Sequence, residues 1–593
     1  MIHLAWGRAR SLLLAAVIAA PVAVLVPGLM TRTASAAVLG AAPGSGVPAN
    51  LRVGSQVLKR CATSPAAFCG TLKVPLDWQS RGGPDISVCY RWYPATGSGR
   101  PEGTVLPVEG VDLRGTGCST VLNCPVLQNY QGPTGTPVFA AVAGTCADAL
   151  NTRWRGAGGY VHASDLFTSA ASAQDVAAVI RALQVPKVDV YGDSYGSWFA
   201  QVFAARYSSL VRSLTLDSTY QVQALDPWYR STIVTMPGDF DTVCAQTPAC
   251  AAARALLDHD RPAPLLRLYA SRLAVDESYF GVPVSQYSVE LYMALSCLDY
   301  PQLFPMSASG PARVADLAAA EAALPASTFA PFTTAQWLAM DQNTENYTAC
   351  LDWPAPTIAQ APVTAAPPFL PPHLPVLILG GSLDTWTPPA GVPEVQAEIG
   401  GDSRFVEFAN ETHVVGEGDS YGCASSMIQA FVTDPATLAS LSTSCAAAIP
   451  SLRAVGSYPA SLSAVTPVTL TSGRASAITL KLAAAAVQTA GDAVARYSSV
   501  GSSPDAGLYG GSVTTSASGN QLTLTGDELV PGVRVSGTVT MGATTVTADL
   551  SVRADGTSTS LTSSWPLYGG SAAAAVTFTG GSGSTQAPEG VPF

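Results

Sequence analysis

The chain has 593 residues, enough for two or three domains, and a net charge of −11 with arginine far outnumbering lysine. An acidic chain without a basic run is not built to bind nucleic acid, and its charge suits solubility outside a cell. After the N-terminal segment no run of about 18 uncharged apolar residues occurs, which argues against stable membrane insertion of the mature chain.

Arg8 and Arg10 precede an apolar run from Leu12 to Val26, and Ala34-Ser35-Ala36 follows it. This pattern predicts a secretory signal peptide over residues 1–36, and Pro21 and Pro27 break the run too early for a permanent anchor. The mature chain is therefore expected to be extracellular, with cell-wall association open. Twelve cysteines in an exported chain favour disulfides. Sequence proximity suggests Cys61 with Cys69, Cys124 with Cys146, Cys244 with Cys250 and Cys423 with Cys445, and Cys297 with Cys350 across a longer loop. Cys89 and Cys118 are left over and are not expected to meet. No C-x-x-C and no histidine cluster is present, so no metal site is expected.

Residues 37–60 form a Gly/Ala/Pro leader. Gly70–Trp78 and Asp85–Tyr93 read as an early strand pair, and a strand–helix–strand pattern runs from 104 to 216. Val176, Val179, Ile180 and Leu183 make one helix face. Val188-Asp189-Val190-Tyr191 then reads as a buried strand, and Ser197–Tyr207 carries Phe199, Val202 and Phe203 at helical spacing. Between them lies Gly192-Asp193-Ser194-Tyr195-Gly196. Strand, G-x-S-x-G and helix in this order lift a serine hydroxyl above the sheet edge, so Ser194 is the predicted nucleophile. The bland alternative is an ordinary strand–helix turn with an idle serine.

Residues 218–370 interrupt the alternating pattern with helical sequence rich in Trp and Tyr, which predicts an inserted cap. The α/β pattern resumes with the apolar strand Leu374–Leu379 and a strand over Arg404–Phe408, and runs to about 450. From residue 460 the sequence turns to Ser, Thr and Gly with alternating β-branched residues, and one helix is expected at Ala483–Tyr497. The expected fold is α/β: a core over 37–217 and 371–450, a helical cap over 218–370 and a β-rich appendage over 460–593.

A serine hydroxyl needs a base. The chain has five histidines: His3 falls in the signal peptide, His162 precedes the serine, His259 sits in a polar stretch and His373 among prolines. His413, in a loop five residues past the strand ending at Phe408, is the predicted base. Asp384, just beyond the strand Leu374–Leu379, is placed to orient it, with Asp217 after the strand Val211–Leu216 as the second choice. Asp193, inside the turn, points the wrong way.

Taken together, Cys69-Gly70-Thr71-Leu72 through Trp78, Asp112-Leu113-Arg114-Gly115-Thr116-Gly117, Tyr191–Ser197, Cys297-Leu298-Asp299-Tyr300-Pro301, Gly381–Asp384 and Thr412-His413 resemble the secreted tripeptidyl-aminopeptidase-like serine hydrolases, relatives of prolyl aminopeptidases with the α/β-hydrolase fold. The resemblance covers roughly residues 60–450. It implies Ser194, Asp384 and His413 as a triad, no cofactor, and release of short peptides from free N-termini. Its oxyanion donors would be the backbone N–H groups of Tyr195 and of a loop at Gly110. The family's glycine-rich loop and following helix are missing here. Leu106-Pro107-Val108 reaches Val111 through only Glu109 and Gly110, too short for a parallel crossover. The segment is expected to be one long strand or a tight turn. An aminopeptidase also needs an acid for the substrate ammonium, for which Glu109, Glu290 and Asp299 are the candidates. An esterase or lipase shares the same serine chemistry, and a binding protein with an inactive site is the reading from outside enzymology.

Overall fold

The computed structural model describes residues 48–61, 67–80, 82–95, 103–108, 111–132, 134–245, 282–330, 333–338, 345–358, 361–417, 419, 421–450, 459–500, 507–516, 519–542, 544–567 and 573–588. The predicted signal peptide, Glu109, Gly110 and Cys250 lie outside them. The described residues divide into two compact units, one of residues 48–235 and 282–449, the other of 236–245 and 450–588.

The first unit contains β1 (Asn50–Val53), β2 (Gln56–Cys61), β3 (Ala67–Pro75), β4 (Asp85–Trp92), β5 (Val105–Pro107), β6 (Val111–Asp112), a hairpin of β7 (Arg155–Gly156) and β8 (Gly159–Tyr160), β9 (Val188–Asp193), β10 (Val211–Asp217), β11 (Pro375–Gly381) and β12 (Asp402–Phe408). Five of these form a parallel sheet in the order β12-β11-β10-β9-β5. Its central strands are covered on both faces; β11 is a continuous apolar run over Val376–Leu379, whereas β10 carries Arg212, Ser213 and Thr215 among apolar residues, and Leu377, Leu379, Val211, Leu214 and Leu216 are fully buried. Up to residue 449 the described helices of eight residues or more are α1 (Pro137–Leu150), α2 (Ser169–Ala182), α3 (Tyr195–Arg206), α4 (Arg230–Ala245), α5 (Val289–Leu298), α6 (Gly310–Ala322), α7 (Val392–Ile399) and α8 (Cys423–Thr433).

The second sheet of this unit is antiparallel, in the order β1-β2-β3-β4-β6. β5 and β6 therefore belong to different sheets. Pro107 pairs with Tyr191 of β9, whereas Val111 pairs with Tyr90 of β4. One long strand is thereby ruled out, while the tight turn expected at Glu109 and Gly110 falls outside the described residues. Three residues cannot return the chain to the start of a parallel neighbour, but they can carry it across to an antiparallel one.

This transfer also overturns an expectation about cysteine. Cys89 and Cys118 are bonded, with Cα atoms 5.7 Å apart. The register sets Cys89 opposite Asp112, and the Asp112 carboxylate accepts the Cys118 N–H at 2.9 Å, which curls the following loop back onto β4. Cys61–Cys69, Cys124–Cys146, Cys297–Cys350 and Cys423–Cys445 are bonded as expected. Arg114, in the same loop, is fully buried and makes a two-pronged ion pair with Asp175 of α2 at 2.7 Å for each bond.

Within the second unit, a β-rich C-terminal region holds β13 (Thr469–Gly473), α9 (Ala477–Val500), β14 (Ser512–Thr515), β15 (Gln521–Asp527), β16 (Arg534–Met541), β17 (Thr545–Ala554), β18 (Thr557–Pro566), β19 (Ala573–Phe578) and β20 (Gly581–Gln586). The strands form one antiparallel sheet ordered β13-β20-β19-β18-β17-β16-β15-β14. β17 alternates exposed and buried positions along its whole length, and Leu482, Val487 and Val494 of α9 pack on the buried face. The helix is longer than the expected Ala483–Tyr497. No helix among the described residues is long and apolar enough to cross a membrane.

Candidate active site

Ser194 sits between the end of β9 and the first residue of α3, with φ +45° and ψ −121°. Gly192 must lack a side chain there, since a Cβ would lie 2.2 Å from the Gly196 carbonyl oxygen. Tyr195, the first residue of α3, has an N–H with no carbonyl one turn earlier to bond, so it is available to an anion beside Ser194.

His413 reaches this turn from the loop after β12. Its Nε2 lies 2.8 Å from Ser194 Oγ. Its Nδ1 lies 2.9 Å from Asp384 Oδ2 and 3.1 Å from Oδ1. A proton on Nδ1 donated to the carboxylate leaves the Nε2 lone pair facing the serine hydroxyl, the tautomer a general base requires. The structure thus brings together Ser194, Asp384 and His413 from three strand ends.

Asp384 is fully buried. Burial alone would raise its pKa, but the charge of His413 and hydrogen bonds from His413 and Thr387 outweigh it and hold the carboxyl down at about 2. The Thr387 hydroxyl donates to Oδ2 at 2.6 Å, and the Trp386 and Thr387 N–H groups donate to Oδ1 at 2.9 Å. Asp217 does not touch the imidazole. It accepts the N–H groups of Val415 and Gly416 at 3.0 and 2.7 Å.

Ser194 and His413 open into a cleft of about 560 Å³ whose far wall comes from the insertion, including Tyr220, Tyr229, Arg230 and Tyr300. Of the three candidates for the substrate ammonium, the two that are described are not in this wall. Glu109 lies outside the described residues. Glu290 and Asp299 are buried and absent from the cleft lining. The Glu290 carboxyl in the first turn of α5 is pushed up to about 7 by burial, partly offset by Arg153. Asp299 accepts the Ser169 N–H at 2.6 Å at the start of α2, and burial pushes it up to about 6. Both roles are corrected to structural ones, because each carboxyl is enclosed where α5 meets the core. Sequence reasoning missed the carboxylates that do line the cleft, Asp226 and Glu394. Asp226 is paired with Arg230 at 2.6 Å, and Glu394 accepts the Gln221 amide at 2.8 Å. Nothing in their local sequence marks them, since only the folded chain sets α7 beside the start of the insertion. The described residues with metal-ligand spacing, Cys89, Asp112 and Cys118, have both sulfurs tied in the disulfide.

The family model described as alpha/beta hydrolase fold matches residues 107–418, more than half of the chain. The chain belongs to the α/β-hydrolase fold family. Among similar solved structures is a proline iminopeptidase from Mycobacterium smegmatis, 15% identical over 62% of this chain and 100% of that one, with a TM-score of 0.27. Another is a thermophilic esterase from Thermogutta terrifontis, 14% identical over 61% and 98%, with a TM-score of 0.25. A hydrolase from Pseudomonas aeruginosa is 15% identical over 64% and 98%, with a TM-score of 0.22. Comparison with curated protein sequences finds no match.

Proposed function

We propose that this α/β hydrolase is an exported serine peptidase that removes short peptides from free N-termini through an acyl-enzyme. The observation that carries the proposal is the unbroken contact from Ser194 Oγ through His413 to Asp384, at 2.8 and 2.9 Å, at the floor of a walled cleft. Ser194 attacks the scissile carbonyl while His413 Nε2 takes its proton. The new C–O bond places negative charge on the carbonyl oxygen, next to the Tyr195 N–H. His413 returns the proton to the leaving amine as the C–N bond breaks. Water, deprotonated by the same imidazole, then releases the acyl group and restores Ser194. A walled cleft limits substrates to chain ends and small molecules. Export is supported by the signal-like N-terminus and by the disulfides, which suit an oxidising compartment and leave wall association open.

One observation favours an esterase as the second reading. Asp299, one of the acids expected to receive a substrate ammonium, is tied to the start of α2 instead, and the cleft acids are already paired. A fluorophosphonate probe tests the serine and a pair of substrates tests the class. The chain should label, Ser194→Ala should not, and a tripeptide amide with a free N-terminus should be cleaved faster than its acetylated form. Labelling together with hydrolysis of esters alone would establish the esterase reading. Absence of labelling would leave a binding protein.

A further inference from the structure

Asp217 and Ser218, at the end of β10, contact the nucleophile turn, the histidine loop and the strand that leads into the acid. The Asp217 carbonyl oxygen accepts the Ser194 N–H at 2.9 Å, which fixes the nucleophile turn. The Ser218 N–H donates to the carbonyl of Leu379 at 2.9 Å, in the strand that leads into Asp384. On the histidine side, three successive N–H groups after His413 are captured. Val414 donates to Ser218 Oγ at 2.7 Å, Val415 to Asp217 Oδ1 at 3.0 Å and Gly416 to Asp217 Oδ2 at 2.7 Å. Tyr191, in β9, donates its hydroxyl to the same Oδ2 at 2.9 Å. Both hub residues are buried and neither lines the cleft.

The backbone around this hub is strained. Ser194, Ser218 and Val414 have φ of +45°, +53° and +61°, and a β-branched residue such as Val414 almost never adopts that region. Such strain persists only where surrounding contacts over-determine the backbone. The next residue but one has no room for a side chain. A Cβ on Gly416 would lie 2.6 Å from Tyr191 Oη and 2.7 Å from Asp217 Oδ2. The contacts on Asp217 and Ser218 are therefore what holds His413 at 2.8 Å from Ser194.

We infer that Asp217 and Ser218 are positioning residues: they clamp the nucleophile turn and the histidine loop together beside the acid strand and set the reactivity of Ser194 through His413, without touching substrate. This rests on the hydrolase reading above.

The test follows inactivation of the full chain by an aryl fluorophosphonate, separating the saturating rate constant from the half-saturating concentration. Final label stoichiometry counts the folded sites, so the rate is read per competent site. Asp217→Asn keeps the size and the main-chain bond to Ser194, but turns an NH2 toward a backbone N–H. The saturating rate should fall by about 10- to 100-fold, the effect of a misplacement on the order of 1 Å, with the half-saturating concentration unchanged. Ser218→Gly suits the positive φ but deletes the acceptor of Val414, and should slow the step roughly two- to tenfold, the worth of one hydrogen bond. This second variant decides the matter if Asp217→Asn fails to fold. Variants that label at the original rate per site overturn the clamp while leaving the serine hydrolase intact. An original chain that does not label removes the hydrolase reading and the clamp with it.

Discussion

At the scale of the residue, the site depends on one carboxylate doing work that burial opposes. Asp384 lies out of water and stays ionised because His413, Thr387 and two backbone N–H groups converge on it. Asp384→Asn would keep the volume and present an NH2 to Nδ1, forcing the imidazole to carry its proton on Nε2 and blocking it as a base. The expected outcome is a loss of about 10⁴ in kcat with KM nearly unchanged, read from ester hydrolysis by purified variant. A loss of tenfold or less would mean that another acid orients His413. Ser194 and its partners were legible because strand, turn and helix impose spacing on the chain, and because only one histidine follows both in a strand-end loop. Asp217 was legible as a strand-end acid but not as a clamp. Its task is defined by backbone N–H groups almost 200 residues away, and a backbone donor leaves no mark on side-chain identity.

At the scale of the element, one buried side chain of α7 gathers the first residues of the insertion. Glu398 accepts the N–H groups of Val222 at 2.7 Å, Gln223 at 3.0 Å and Ala224 at 2.5 Å, just where the chain leaves the core to build the cleft wall. Glu398→Ala should loosen that wall, raising KM for a peptide amide by at least about fivefold, the value of one charge-assisted hydrogen bond or more. The labelling rate of Ser194 should change less, since α7 does not touch the triad. An unchanged KM would detach the wall from substrate binding. The disulfide between Cys89 and Cys118 closes a separation of 29 residues across the antiparallel sheet. Its replacement by two serines should cost about 3 kcal/mol in urea unfolding, from the added freedom of the unfolded loop. The central parallel strands were readable because burial on both faces keeps apolar residues such as Val188, Val190, Leu214, Leu216 and Leu377 in them, whereas the partner of β6 was not. A two-residue strand has no periodicity, and the absence of a crossover says only where it cannot pair.

At the scale of the whole molecule, two groups of residues carry separate cores. The apolar cluster of α9 and its sheet draws on residues 465–587 alone. Residues 459–588 expressed separately should therefore give a cooperative thermal transition and a dispersed amide spectrum, and a molten fragment would refute that independence. Titration then gives a property of the full chain that composition does not suggest. Burial pushes Asp217 and Glu290 to about 7, as it does Glu411 with help from Asp419, while Asp299 and Asp527 rise to about 6. Each is a carboxyl whose folded pKa exceeds the unfolded value of about 4. The stability each contributes is complete below pH 4 and is lost as pH rises through 6 to 7, because the folded state must then hold a charge it solvates poorly. Asp384 acts in the opposite sense: its pKa of about 2 gives stability that is present above pH 4 and lost as pH falls through 2. The two trends cross near pH 4 to 5, so thermal unfolding of the full chain should show its highest Tm there and a steady fall toward pH 8. In the Asp217→Asn variant that fall should be shallower, since one of the groups that charges on the way up has been removed. A Tm that rises from pH 5 to 8 would show that the buried carboxyls are ionised at no cost, and that the polar contacts around them outweigh their loss of water.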